Sequence, residues 1–378
     1  MSSDLHLPHQ LPGANQTLTA QCHCKTVHFT ITLPTSSLPL PAYLCHCHIC
    51  RYIHGTLCIF HASLPKGVEP EFISGNPEEI LTGYTHDQAA SERYFCSTCG
   101  CHIGDRDLEA DPETGKYPWT IATSILTPQN ENTFQIRAHY FTTSTPGDGV
   151  YSWLPAIGDR KLHIPKPRQD SDKISKPEPS LPQTDDQGNE VLLAQCHCAG
   201  VSFALTRPSE EEKADPFLSR FLSPIDSSKR VACVCVCKDC RLVDGTHAIG
   251  WTFAPLSCLK PSIGSDLKYG TLKAYRSSEN VTRAFCGKCG ATVFYTTEDE
   301  ERANTEDKRI MDIAVGILRA PEGILAEEWL TWRTGRLAGL PSGLEYDRAF
   351  TESLDKGMKE WGLKKYGEVT TFNIPRDS

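Results

Sequence analysis

The chain has no apolar run approaching the roughly 20 residues that a helix needs to cross a bilayer. No membrane partner is therefore expected. Its first residues, Met1 to Ala20, carry neither the basic start nor the apolar core of a secretory signal. A cytoplasmic location, with the nucleus as the other choice, is the expectation. Also lacking is any Lys/Arg-rich tract with interleaved aromatics, and the net charge is −9. Surfaces that bind phosphate backbones are usually basic, so no nucleic-acid partner is expected. Long helical periodicities are scarce, and the body of the chain reads as mainly β.

What is abundant is cysteine, 18 residues in 378. A disulfide-stapled secreted protein would be smaller and would carry a signal. In a reducing compartment, closely spaced cysteines more often hold metal. The length allows two or three domains, each able to bury its own core. The apolar share of 39 % and the 26 prolines imply extensive loops.

The cysteines fall into three motifs, each present twice. Cys22-His23-Cys24 returns as Cys196-His197-Cys198. Cys45-His46-Cys47-His48-Ile49-Cys50-Arg51 returns as Cys235-Val236-Cys237-Lys238-Asp239-Cys240-Arg241, and Gly55-Thr56 and Gly245-Thr246 follow at the same distance. Cys96-Ser97-Thr98-Cys99-Gly100 returns as Cys286-Gly287-Lys288-Cys289-Gly290. The first pair is offset by 174 residues and the other two motifs by 190, so the second copy carries 16 additional residues, around Ser209 to Arg230. Arg93 and Arg283, and Phe95 and Phe285, obey the same offset of 190.

The organisation read from this repeat is a disordered N-terminus over 1–16, a first domain over 17–155 and a linker over 156–189. A second domain over 190–340 and a C-terminal tail over 341–378 follow. The linker assignment rests on its Lys, Asp, Ser, Pro and Gln content. Val27, Phe29 and Ile31 alternate with polar residues, as do Val201, Phe203 and Leu205, which predicts strands with one buried face. Thr56 to His61 and Trp119 to Leu126 are further strand candidates. In the tail, Tyr346, Phe350, Leu354, Met358 and Trp361 recur at steps of four and three, which predicts a helix docked by one apolar stripe.

Seven motif thiols per copy exceed one mononuclear site, which takes four. The partition expected is four plus three. Cys22, Cys24, Cys96 and Cys99 would close one structural site in the first copy, and Cys196, Cys198, Cys286 and Cys289 one in the second. Two ligand pairs far apart in sequence staple a small β domain, and their binding energy becomes folding energy. All-thiolate ligation selects zinc or iron, and zinc is favoured because it needs no redox partner.

The remaining trios are Cys45, Cys47, Cys50 and Cys235, Cys237, Cys240. Three ligands with an open corner are the arrangement of a catalytic zinc. A thiol bound there would become a held thiolate able to attack a carbonyl. A trio completed by a nearby His, or by Cys58, Cys101, Cys233 or Cys258, is the alternative, although those four cysteines are not shared between copies and burial as small apolar residues suits them. His46 and His48 lie within the first trio where the second has Val236 and Lys238. That difference favours the first copy, with Cys45, Cys47 and Cys50, as the catalytic one. A His beside a metal is nevertheless more often a supporting residue than a ligand.

Cys-x-Cys followed by Val-x-Phe, then Cys-His-Cys-x-x-Cys-Arg with Gly-Thr, then Phe-Cys-x-x-Cys-Gly, resembles the glutathione-dependent formaldehyde-activating enzyme family, whose members are also called centromere-protein-V-like proteins. The resemblance covers residues 17 to 155 and 190 to 340. It implies a β-tent fold, also seen in methionine sulfoxide reductase B, so that the fold expected is two tandem zinc-binding β-tent domains with a C-terminal helix. It further implies a structural zinc on the four-Cys sets and a second zinc on the trios, two per domain. The implied chemistry is a carbon–sulfur lyase type reaction, the addition of glutathione to formaldehyde to give S-hydroxymethylglutathione. The partners would be a small thiol and an aldehyde, with glutathione as co-substrate. This chain departs from the simplest members in its tandem form, its 16-residue insertion and its second trio without histidine. A non-catalytic zinc scaffold for protein interaction or metal handling is the competing reading.

Overall fold

The computed structural model describes residues 13–144, 146–166, 183–298 and 308–375. The expected disorder of the first residues falls largely on 1–12, and the central part of the expected linker on 167–182. Both lie outside the described residues.

Each half contains a four-stranded and a seven-stranded sheet. In the first half the small sheet is built on the antiparallel pair Asn15–Gln21 and His28–Pro34. Leu18, Ala20, Phe29 and Ile31 face inward from it, fully buried, as the period-two alternation requires. The large sheet runs Phe134–Tyr140, Leu40–Cys45, Ile59–Ser63, Trp119–Ala122, His102–Asp107, Ser91–Cys96, Leu81–Tyr84. The second half repeats this order from the other edge: Leu272–Ser278, Val281–Cys286, Thr292–Thr297, Ile310–Ala314, Ile249–Pro255, Arg230–Cys235, Leu330–Trp332. The mainly β tandem with a C-terminal helix is thus the architecture observed.

Several boundaries differ from the sequence reading. The strand expected over 119–126 ends at Ala122, since Thr123–Ile125 turns as a 3-10 helix and Leu126–Thr127 joins the small sheet. The first strand starts at Asn15, because Asn15 already pairs with Pro34. The strand expected over 56–61 is Ile59–Ser63, since Gly55 ends a short helix in the left-handed region and residues 56–58 form the connection. Residues 156–166 are not free linker. Ala156–Ile157 pairs with Arg160–Lys161, and Ile157 and Leu162 are buried against the first half. Two apolar residues within a polar stretch suffice to dock it, and composition averages them away.

The halves pack through a pseudo-twofold seam in which equivalent residues meet in exchange. A Cβ on Gly55 would stand 2.2 Å from Thr292 O, and one on Gly245 would stand 2.4 Å from His102 O. Both glycines also adopt positive φ, +74° and +66°, so Gly is required twice over at these points. Backbone bonds repeat the exchange: His23 N–H donates to Leu242 O and His197 N–H to Tyr52 O. The helix Arg348–Tyr366 covers one end of the seam. Its buried Phe350, Leu354, Met358 and Trp361 form the expected stripe. Phe350 meets Phe60 of the first half and His247 of the second, and Trp361 meets Trp153. Tyr346 belongs to the preceding short helix, and its hydroxyl donates to Thr123 O.

Candidate metal centres

The strand Asn15–Gln21 leads directly into Cys22, and the strand Ser91–Cys96 ends in the Cys-x-x-Cys turn; together they assemble the four-Cys set. The sulfurs of Cys22, Cys24, Cys96 and Cys99 all lie within 4.8 Å of one another, and so do those of Cys196, Cys198, Cys286 and Cys289. The sulfur–sulfur distances are 3.5 Å for Cys22–Cys24, 3.6 Å for Cys24–Cys96, 3.6 Å for Cys196–Cys198 and 3.5 Å for Cys198–Cys286. A tetrahedron with metal–sulfur bonds of about 2.3 Å has edges of about 3.8 Å, so a zinc-sized ion fits each set. Backbone N–H groups support the charge: Val27 donates to Cys22 and Val201 to Cys196, at 3.3 and 3.4 Å. The Cys198 thiol is pulled down to about 7, chiefly by its bond with Cys196.

The trios are the second kind of cluster. Cys45 and Cys235 end the strands next to one edge of each large sheet. Cys47 and Cys237 then cap the helices His48–His54 and Lys238–Asp244, each sulfur accepting the N–H of Cys50 or Cys240 at 3.4 Å. This turn gathers three sulfurs within 4.8 Å in both copies, and among the described residues no fourth Cys, His or carboxylate joins either group. Cys47 is held well below the usual thiol range by Cys45 and then Cys50, and Cys237 is lowered to about 3 by Cys235 and then Cys240.

Arg93 and Arg283 stand beside the trios. The Arg283 guanidinium donates to Cys240 Sγ at 3.4 Å and lies 4.8 Å over the Tyr295 ring. Arg93 is partly buried near Cys50 and Asp105, whose charges it feels together with that of Cys47. Three thiolates on a divalent cation leave one negative charge, and a buried guanidinium balances it. The shared offset of 190 was the available signal for this role, since both arginines lie in the strand leading to the Cys-x-x-Cys turn.

His46 does not reach toward the trio's open side. Its Nε2 lies 2.9 Å from His139 Nδ1, and His139 Nε2 lies 2.8 Å from Leu154 O. His48 Nδ1 lies 3.0 Å from Ser144 Oγ. The histidines of the first trio are engaged elsewhere, so their absence from the second trio removes nothing from the sulfur cluster.

Of the four additional cysteines, Cys58 and Cys101 are buried in the main core. Cys258 is buried but polar in role: it donates to Glu212 Oε1 at 3.0 Å and accepts from Arg230 at 3.2 Å. Cys233 lies against a cavity of about 280 Å³ that opens on the second trio. Trp251, Phe253, Tyr295, Arg283, Asp312 and Ile374 form its other walls. Apart from Arg283, none of these was marked by a motif: Trp251 and Phe253 share one strand, Tyr295 and Asp312 come from two others, and Ile374 comes from the tail.

All 18 cysteines are free thiols and none is paired in a disulfide. Among the described residues no helix is long and apolar enough to cross a membrane. A comparison with curated proteins matches none. A family model, described as glutathione-dependent formaldehyde-activating enzyme, matches residues 17–144 and 224–332, more than half of the chain and one segment in each half. The repeated Cys motifs, the repeated sheets and this match agree: the chain belongs to the glutathione-dependent formaldehyde-activating enzyme family.

Proposed function

We propose that this protein is a zinc-dependent carbon–sulfur lyase type enzyme that adds a thiol, most simply glutathione, to a small aldehyde such as formaldehyde. The observation that carries the reading is the contrast between clusters. Each half has one complete four-sulfur set and one trio without a fourth protein ligand among the described residues.

Cys22, Cys24, Cys96, Cys99 and their second-copy equivalents would hold the structural zinc. Cys45, Cys47, Cys50 and Cys235, Cys237, Cys240 would hold the second ion, which when bound supplies an open position and lowers the pKa of an incoming thiol. The chain's own part is charge balance and enclosure. Arg93 and Arg283 offset the sulfur charge, and the surrounding side chains exclude water from the reacting atoms. In the reaction the thiol sulfur forms a bond to the carbonyl carbon, the C=O π pair moves to oxygen, and that oxygen takes up the proton the thiol lost. The product is an S-(hydroxymethyl) thioether, and the reverse reaction cleaves the same bond. A reducing compartment such as the cytoplasm suits both the thiols and the co-substrate.

Formaldehyde adds to thiols unaided, so the test is acceleration. Exchange NMR on formaldehyde and glutathione at equilibrium should show faster interconversion with the protein than without it. The Cys47→Ser/Cys237→Ser variant should return the rate to the background. Equal exchange with the parent and this variant contradicts the reading.

A further inference from the structure

The two trios sit in unlike surroundings, and the register of the strands gives the comparison residue by residue. Tyr43 faces His61 and His61 faces Ala122 in the first half; Cys233 faces Trp251 and Trp251 faces Ala314 in the second. Ser63 pairs with Thr120 where Phe253 pairs with Asp312, and Asp105 pairs with Thr120 where Tyr295 pairs with Asp312. Thus His61, Ser63 and Asp105 of the first half correspond to Trp251, Phe253 and Tyr295 of the second. In the first half these positions form a polar set, with His61 Nδ1 3.3 Å from Asp105 Oδ2. In the second they are the aromatic walls of the cavity of about 280 Å³.

The chain that the second half has in excess goes to the same place. Within the 16-residue insertion, Phe221 is fully buried, and its ring centre lies 5.7 Å from that of Phe253. The insertion is fastened by the buried pair Arg230–Glu212 at 2.8 Å. The tail after the C-terminal helix is tied to the core where Gly335 N–H donates to Thr370 O at 2.8 Å, and Ile374 closes one wall. Around the first trio the buried apolar cluster among the described residues is smaller, Cys45, Cys47, Cys50 and Ile59, with Tyr43, Ile49 and Phe141 partly buried against it. Trp251, Phe253, Ile374 and Phe221 all belong to the cluster around the second.

We infer that the second trio takes an aldehyde carrying a neutral aromatic group, whereas formaldehyde suits the first. This rests on the reading of the trios as thiol-addition sites. The space next to Cys240 approaches the lower bound of pockets that hold drug-sized ligands, far more than formaldehyde needs. Its flat walls match a ring rather than a branched chain. A carboxylated ring is disfavoured, because Asp312 and Asp239 both border the cavity and Arg283 is already engaged by Cys240 and Tyr295. Asp239, whose side chain is 62 % exposed, marks the mouth through which the thiol's peptide portion would lie.

The test uses the zinc-loaded full chain and two unreactive stand-ins for the addition products, S-benzylglutathione and S-methylglutathione, with binding read by calorimetry. S-benzylglutathione should bind about tenfold or more tightly, as burial of a phenyl ring predicts. Trp251→His, which installs the first-half residue, should remove that preference. Tyr295→Ala should weaken it without opening the core, since Tyr295 is only half-buried. If Trp251→His loses zinc, the Tyr295→Ala result stands in its place. Equal affinity for the two thioethers while glutathione itself binds overturns this inference alone, as does a preference that survives both folded variants. Failure of glutathione and both thioethers to bind overturns it together with the reading it rests on.

Discussion

The hydroxyl of Tyr84 lies 2.8 Å from Nδ1 of His197, so a first-half tyrosine reaches the histidine inside the second half's Cys196-x-Cys198 pair. Tyr275 reaches His23 at the same distance, inside Cys22-x-Cys24. His23 Nε2 in turn lies 3.6 Å from Asp239 Oδ1, within the second trio. Each four-sulfur set is therefore covered by the opposite half, and the histidine within one of them touches the turn that carries the other half's three-sulfur cluster.

The first prediction is a single cooperative unfolding transition for the zinc-loaded chain in scanning calorimetry. Tyr84→Phe and Tyr275→Phe should each lower stability by about 1 kcal/mol and leave the transition single. Two separate transitions would mean that the seam does not couple the halves.

Gly55→Ala should cost about 2 kcal/mol or more, because its Cβ would collide with backbone of the other half at a positive φ. Gly115 provides the control. It also has a positive φ, +68°, but open space around it, so Gly115→Ala should show backbone strain alone, about 1 kcal/mol. Equal costs for the two in chemical denaturation would contradict the close approach.

What the sequence displayed and what it hid divide along physical lines. Metal ligands must cluster locally, so Cys45, Cys47 and Cys50 announce themselves by spacing, and the offset of 190 exposes the duplication. Gly55 against Thr292, or Trp153 against Trp361, joins residues that no local period relates. The aromatic walls were hidden for another reason. Trp251 and Phe253 lie in a strand buried along its whole length, where nothing in the pattern tells a cavity wall from ordinary core. The insertion showed in the sequence only as a change of offset, yet Glu212 caps its helix and neutralises Arg230 inside the protein.

That buried pair gives a pH prediction. Burial alone would raise the Glu212 carboxyl, but Arg230 outweighs it and holds the group below its ordinary 4.5. A depressed carboxylate contributes its stability above the unfolded-state value and loses it as pH falls through the folded one. Melting temperature should therefore drop on acidification below about pH 4.5. Glu212→Gln should flatten this component and cost about 3 kcal/mol or more at neutral pH, because the guanidinium stays buried without its partner. An unchanged pH profile in the variant would contradict the assignment.

Cys96→Ser opens an anchor, whereas Cys47→Ser removes a corner from a trio. The first should lower the melting temperature by about 10 °C or more, because metal energy there is folding energy. The second should shift it by far less. Equal losses would mean that both cysteines serve one ion.

The partition of the sulfurs is tested most directly by counting metal. Four clusters imply four zinc ions per purified chain. Elemental analysis of the Cys47→Ser/Cys237→Ser variant should find only two, in a protein that melts close to the parent. A variant that retains four ions, or that loses its fold with the missing two, contradicts the division into closed anchors and open trios.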